Sequence, residues 1–91
     1  LALSCIDISG RAFLVFDADF QTQSIGSYDT QLTEEFFRAL VFNMKSTLHM
    51  KLMYGKNDHH KTEALFKSVA RSIREALTPT SGGILSSKGV L

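Results

Sequence analysis

The sequence has one cysteine, one proline, no tryptophan and almost no net charge. The lone cysteine, Cys5, has no partner for an internal disulfide, which favours a reducing compartment such as the cytoplasm. No apolar run approaches the ~20 residues that a membrane-spanning helix needs. The formal net charge of +1 gives no field strong enough to attract nucleic acid or an anionic membrane. We therefore expect a cytoplasmic domain with neither of these partners, in which any anion binding is local.

The 91 residues are 44% hydrophobic and 21% charged, which is the balance of a single small globular domain. A chain of this size leaves a larger share of its surface in water than a domain of ~150 residues would. We therefore expect it to bury a face against a partner. Because strand-like sequence starts at Leu1, the chain has the character of a piece of a longer protein.

Two segments rich in Leu, Ile, Val and Phe, residues 1–8 and 12–20, open the chain. The Ser9-Gly10 pair between them is typical of a tight turn, so this region predicts a β-hairpin. The polar segment 21–29 that follows predicts a loop with a short edge strand around Ile25.

The apolar period then becomes helical, which predicts a helix from Thr30 to about Lys45 with Asp29 or Thr30 as its N-cap. Its apolar residues recur at every fourth position: Leu32, Phe36, Leu40 and Met44. Alternation over residues 47–54 predicts a half-buried strand whose inner face is formed by Leu48, Met50, Leu52 and Tyr54.

After Gly55, a second helix is predicted to run to about Leu77, with Asn57 or Asp58 as its N-cap. Its predicted core stripe consists of Phe66, Val69, Ala70, Ile73 and Leu77. The order of these elements predicts an α+β fold, with a small mixed β-sheet and two α-helices packed on one face.

The segment "DHHKTE" at the start of the second helix carries three residue types that bind metals. His59 lies four residues and His60 three residues before Glu63, so each histidine can lie beside the glutamate on the helix surface. Mixed nitrogen and oxygen ligands suit manganese, iron or zinc. Adjacent histidines point about 100° apart, which favours two different ions over one. The same spacing also fits an ordinary solvated helix face, and the residues alone leave both interpretations open.

A charged stripe continues from these residues along the helix through Lys67, Arg71 and Arg74. It starts with metal-type ligands and ends with cations, so it suits a substrate with a metal-binding end and an anionic end. Near the C-terminus, Ser86-Ser87-Lys88-Gly89 has the composition of a phosphate site, and equally that of a polar terminus. Spacing alone does not distinguish Arg11 from an ordinary surface arginine.

Four segments together closely resemble the C-terminal half of the imidazoleglycerol-phosphate dehydratase family. They are "DISGRAFLVFDADF", "YDTQLTEEFFRALVFN", "TLHMKLMYGKNDHHKTEALFKSVARSIREAL" and "SSKGVL". The match covers essentially the whole chain, and the DHHxxEAxFK and SSKGxL elements in this order are specific. The resemblance implies that residues 1–91 form one half-domain of a duplicated two-layer fold, including a substrate-binding tail at 82–91.

The resemblance further implies a manganese-dependent lyase of histidine biosynthesis that dehydrates imidazole glycerol phosphate to imidazole acetol phosphate. Family members assemble from trimers into homo-oligomers of twenty-four subunits, with two Mn²⁺ ions in each site between subunits. By matching positions, the metal ligands are His59, His60 and Glu63. The substrate-binding residues are Arg11, Lys67, Ser86, Ser87 and Lys88.

Two departures from the family pattern affect these assignments. Many members have "EHFF" in the first helix, with a metal-ligating histidine, where this chain has "EEFF". Glu35 occupies that position and is a candidate metal ligand. The family's N-terminal half, which carries further ligands and the proposed acid/base carboxylate, is absent, so no catalytic residue is assigned and the chain alone is expected to be inactive.

The alternative hypothesis is a non-catalytic metal- and phosphate-binding half-domain that self-associates. The joint presence of Arg11, Lys67 and the serine-lysine tail favours the enzyme, since a structural metal site needs none of them. A nucleic-acid-binding α+β domain is disfavoured by the net charge and by the lack of a basic run with interleaved aromatic residues. If the source is a plant, a plastid location replaces the cytoplasmic one.

Overall fold

A computed structural model of the chain describes residues 1–79. The elements in chain order are β1 (Ala2–Asp7), β2 (Phe13–Asp17), β3 (Ser24–Ile25), β4 (Tyr28–Asp29), α1 (Gln31–Met44), β5 (Thr47–Leu52) and α2 (Asp58–Leu77). Strands β3 and β4 pair as a small antiparallel hairpin, which confirms the short strand expected around Ile25. Strands β1, β2 and β5 form the main sheet.

The main sheet is mixed, with β5 between β1 and β2. β5 pairs antiparallel with β1 and parallel with β2. The predicted hairpin of the first two strands is therefore wrong, because these strands do not pair with each other. The chain does change direction at Ser9-Gly10. The connection between β1 and β2 nevertheless crosses β5, which lies between them, so the axes of β1 and β2 are about 10 Å apart.

Backbone hydrogen bonds explain how the connection between β1 and β2 crosses the start of β5. Gly10 has a φ of 88°, a value that glycine adopts without strain. Its N–H donates to the Lys45 carbonyl at 2.8 Å, and the Phe13 N–H donates to the Ser46 carbonyl at 3.1 Å. The connection is thus bonded to the segment between α1 and β5, which places β5 in the gap.

Both helices cover the same face of the main sheet, as the α+β prediction required. The central strand provides Leu48 and Met50, which are 0% and 1% exposed. The buried core consists of Phe37, Val41, Leu48, Met50, Leu65 and Val69. The predicted inward alternation of the third long strand is confirmed through Leu52, whereas Tyr54 lies beyond β5 and is 70% exposed.

The buried stripe of α1 is shifted by one position along the sequence from the predicted one. Thr33, Phe37 and Val41 are buried, whereas Leu32 and Phe36 remain 52% and 49% exposed. Both sets recur at every fourth position, so periodicity alone did not distinguish them. The N-cap is Thr30, as predicted, but the Asp29 carboxylate accepts the Gln31 N–H at 2.9 Å.

The N-cap of α2 is Asn57, whose side chain accepts the His60 N–H at 3.1 Å, and this confirms the predicted start. Leu65 is fully buried and was missed by the predicted stripe. Ala70 and Leu77 were predicted to be in the core, but both are exposed. They lie on the helix surface away from the sheet, so Leu65 and Val69 define its inner face.

Among residues 1–79, no helix or strand packs on the second face of the main sheet. This face carries Leu3, Phe13 and Val15, which are 60%, 54% and 37% exposed. Exposed apolar residues therefore occur on both sides of the molecule, since Leu32 and Phe36 lie on the helix side. Within residues 1–79, neither helix combines the length and apolar character needed to cross a membrane.

The register of α1 can be tested with two phenylalanines on the same helix. Phe37→Ala removes a side chain that is 1% exposed and should lower the free energy of unfolding by about 3–5 kcal/mol. Phe42→Ala removes a side chain that is 71% exposed and should change it by no more than about 0.5 kcal/mol. Urea unfolding followed by circular dichroism measures both. Equal losses would contradict the register.

Candidate metal and substrate site on the second helix

The first turn of α2 is held by its N-cap at the end of the sheet where β5 finishes. The Asn57 side chain accepts the His60 N–H, and the Asn57 carbonyl accepts the Lys61 N–H at 2.9 Å. The cap thus satisfies one orphan N–H group of the first turn, and the Asn57 carbonyl accepts the first regular bond of the helix. His59 and His60 are therefore presented on regular helix, close to its N-terminus.

His59 and Glu63 lie together on the surface of α2. The His59 Nε2 atom is 3.8 Å from Glu63 Oε2, and the two side chains are 61% and 55% exposed. The ring of His60 lies 5.9 Å from that of His59, at an angle of 78° between the ring planes. The planes of the two rings thus differ in orientation, and the exposed His59 and Glu63 side chains are close enough for a single ion to bind both.

A depression of about 480 Å³ lies between this face of α2 and the hairpin of β3 and β4. Its lining consists of Ile25, Tyr28, His59, Thr62, Glu63, Phe66 and Lys67. The Tyr28 hydroxyl is hydrogen-bonded to Thr33 Oγ1 at 2.6 Å, which fixes the hairpin against α1. The structure therefore brings three predicted site residues to one depression: a histidine, a glutamate and a lysine.

A buried ion pair lies directly beneath this exposed face and was missed in the sequence. Asp58 and Lys61 approach to 3.3 Å, and each side chain is only 6% exposed. The Thr22 hydroxyl and the N–H groups of Gln21 and Thr22 donate to the Asp58 carboxylate, which lowers its pKa well below the usual value despite the opposing effect of burial. The only available signal was an aspartate three residues before a lysine, a spacing usually found on the surface.

A sequence model of imidazoleglycerol-phosphate dehydratase matches residues 1–73. The chain is 52% identical to the imidazoleglycerol-phosphate dehydratase of Streptococcus thermophilus and 50% identical to that of Listeria monocytogenes, in each case over 100% of this chain and 48% of the relative. The chain belongs to the imidazoleglycerol-phosphate dehydratase family. It spans about half the length of the curated relatives it matches.

A solved structure shows the same fold in this family. The crystal structure of imidazoleglycerol-phosphate dehydratase from Staphylococcus aureus matches with a TM-score of 0.84 at 47% sequence identity. The match covers 87% of this chain and 46% of that one. The resemblance read from the sequence motifs is thus confirmed at the level of family and fold.

The remaining predicted site residues do not join the depression. Glu35 is exposed on α1, and within residues 1–79 no three histidine, cysteine, aspartate or glutamate side chains cluster closely enough to hold a metal ion. The Arg11 carbonyl accepts the Thr47 hydroxyl, which places this arginine at the start of β5. The tail residues Ser86, Ser87 and Lys88 lie outside the described part of the chain.

Arg11 and the histidines lie at opposite ends of the sheet. β2 runs parallel to β5 and starts next to Arg11, and the loop that follows its last residue, Asp17, bonds the first turn of α2. From Phe13 to Asp17 the strand rises about 13 Å at ~3.3 Å per residue. The length of β2 therefore lies between Arg11 and the first turn of α2, and Arg11 does not line the depression beside His59.

The exposure of His59 and Glu63 predicts that they contribute little to folding. Because exposed ion pairs typically contribute less than about 1 kcal/mol, Glu63→Gln should change the free energy of unfolding by less than that amount. Urea unfolding at pH 7 without added metal measures it. A larger loss would show that the glutamate supports the fold instead of a ligand.

Proposed function

We propose that this chain is the C-terminal half of a manganese-dependent hydro-lyase that converts imidazole glycerol phosphate to imidazole acetol phosphate in histidine biosynthesis. The reaction removes one water molecule: a proton leaves carbon, a neighbouring hydroxyl leaves with its electron pair, and no net oxidation occurs. Family membership supports the dehydratase reaction. The observation that carries the proposal for this chain is the convergence of His59, Glu63 and Lys67 on one depression.

The residues of α2 fit a divalent ion as part of a ligand set. His59 and Glu63 offer a nitrogen and an oxygen that are 3.8 Å apart, which suits ligation of one manganese ion. His60 faces another direction and would serve a second ion. Bound manganese supplies Lewis acidity, which favours the deprotonated form of an imidazole. Since no third ligand lies nearby in residues 1–79, the other ligands would come from another segment or another chain.

Lys67 would hold the anionic part of the substrate. It lies one helical turn beyond Glu63 and lines the same depression, so its ammonium can pair with an oxyanion while a metal-bound group occupies the start of the helix. Holding both ends of a substrate fixes the reacting carbons between them, which lowers the entropic part of the barrier. The proposed roles of Ser86, Ser87 and Lys88 on the phosphate, and of Glu35 on a metal, rest on the family resemblance.

The separation of Arg11 from the histidines supports a homo-oligomer in which one substrate contacts two chains. We propose that Arg11 binds the phosphate of a substrate whose metal-binding end lies on a different chain. The exposed apolar residues on both faces, including Phe13 and Phe36, provide surfaces for such assembly. We propose the twenty-four-subunit assembly and a cytoplasmic location on the same family grounds.

The catalytic proposal is tested by a chimera in which this chain replaces the matching part of the Streptococcus thermophilus relative. The chimera should bind Mn²⁺ and dehydrate imidazole glycerol phosphate. His59→Ala in the chimera should lower its activity by more than about 100-fold, because loss of a direct ligand exceeds the effect of losing a neighbour of one. Isothermal titration calorimetry and a product assay measure the two properties. A chimera that is folded and assembled but inactive would contradict the proposal and favour a non-catalytic half-domain.

The role of Lys67 is tested in the same chimera. Lys67→Ala should raise KM by about tenfold or more, since a hydrogen bond between charged groups contributes ~1.5–3 kcal/mol. Its manganese content, measured by atomic absorption, should stay the same. Lys51→Ala is the matched control, because Lys51 is exposed on the opposite face of the sheet. Loss of metal in Lys67→Ala would contradict a role limited to the substrate.

A further inference from the structure

Asp58 and Lys61 are the two charged side chains that residues 1–79 bury. A buried ion pair is weak evidence for stability, because replacement of such pairs by apolar residues is often neutral or stabilising. The pair lies in the first turn of α2, where Asp58 directly precedes His59 and Lys61 directly follows His60. This position makes the pair a candidate for orienting the two histidines.

The pair bonds α2 to the loop that follows β2. The Asp58 carboxylate accepts the Gln21 N–H at 3.1 Å and the Thr22 N–H and hydroxyl at 2.7 Å each. The Lys61 ammonium donates to the Asp19 carbonyl at 3.1 Å. The alkyl chain of Lys61 packs against Gly55, where an added Cβ would lie 3.2 Å from Lys61 Cγ. Hydrogen bonds to the loop after β2 and packing against Gly55 together hold the first turn of α2 in place.

The same loop is bonded to the start of α1. The Thr30 hydroxyl donates to the Thr22 carbonyl at 2.8 Å, and the Thr30 N–H donates to the Gln23 carbonyl at 2.9 Å. The next residues form the hairpin of β3 and β4, which supplies Ile25 and Tyr28 to the depression beside His59. One buried pair thus connects both walls of the candidate site.

We infer that Asp58 and Lys61 are positioning residues, which set the orientation of the first turn of α2 and so aim His59 and Glu63 at the depression beside the hairpin. The inference rests on the proposed function for its catalytic meaning. The exposed ligands have few contacts of their own, since their side chains are 61% and 55% exposed. Their placement depends on the buried pair beneath them, as metal ligands generally depend on neighbouring groups for orientation.

The first test uses amide hydrogen exchange of the metal-free 91-residue chain. Lys61→Met keeps the alkyl chain against Gly55 and removes the ammonium. Exchange in residues 20–23 and 59–63 should become about tenfold faster together, whereas residues 65–72 should keep their protection. Arg38→Met is the matched control, because it breaks the exposed Glu34–Arg38 pair on α1. Unchanged protection of residues 59–63 in Lys61→Met would overturn the inference.

The second test measures Mn²⁺ affinity in the chimera by calorimetry, at a temperature where circular dichroism shows each variant to be fully folded. Lys61→Met should weaken binding by about 10- to 100-fold, and Arg38→Met should leave it unchanged. If Lys61→Met does not fold, Thr22→Val removes a single hydroxyl donor from Asp58 and should shift affinity in the same direction.

A variant with lower stability but unaltered affinity would reduce the pair to a structural role and overturn the inference. Absence of Mn²⁺ binding in the unsubstituted chimera would instead overturn the proposed function, and the exchange result would still decide whether the pair orders residues 59–63.

Discussion

The placement of β5 in the middle of the sheet is the constraint on which the rest of the molecule depends. Parallel pairing with β2 requires a crossover from the end of one strand to the start of the other, and α1 lies in that crossover. α2 follows β5 directly, so its first turn lies at the sheet end where β2 also finishes. The loop after β2 and the first turn of α2 are neighbours for this reason, and Asp58 bonds the two together.

Helices, strands and caps that depend on local signals could be predicted from the sequence. Which strand pairs with which, and which helix face packs on the sheet, could not. The Asn57 cap, the alternation of β5 and the two helices were recognised because each depends on residues within a few positions. The Ser9-Gly10 turn misled because it indicates a change of direction without saying which strand lies alongside. Phe36 and Phe37 are adjacent and equally apolar, so which of them faces the sheet is decided by packing against β5 and β2.

The candidate site likewise has a part that local spacing predicted and a part that depends on contacts between distant residues. The spacing of His59, Glu63 and Lys67 places them on one helix face, and the structure brings them to one depression. The buried contact of Asp58 with Thr22 joins residues 36 positions apart and has no local signature. The position of Arg11 at the other end of the sheet follows from strand order, which the predicted hairpin had wrong.

Residues that bind a ligand shared with another chain must stay exposed, and exposure removes the packing that would otherwise hold a side chain still. Under the proposed function, His59 and Glu63 meet this conflict on α2, where the histidine Nε2 lies 3.8 Å from the glutamate Oε2. The helix resolves it by burying charged residues on either side of the histidines: Asp58 precedes them and Lys61 follows them, and both face inward onto the loop after β2. Burying Asp58 and Lys61 costs desolvation free energy. In return, the buried pair gives the exposed face of α2 with His59 and Glu63 a defined orientation. On this view, the segment "DHHKTE" has two tasks in the first two turns of α2: its inward side holds the fold, and its outward side would hold the proposed ligand.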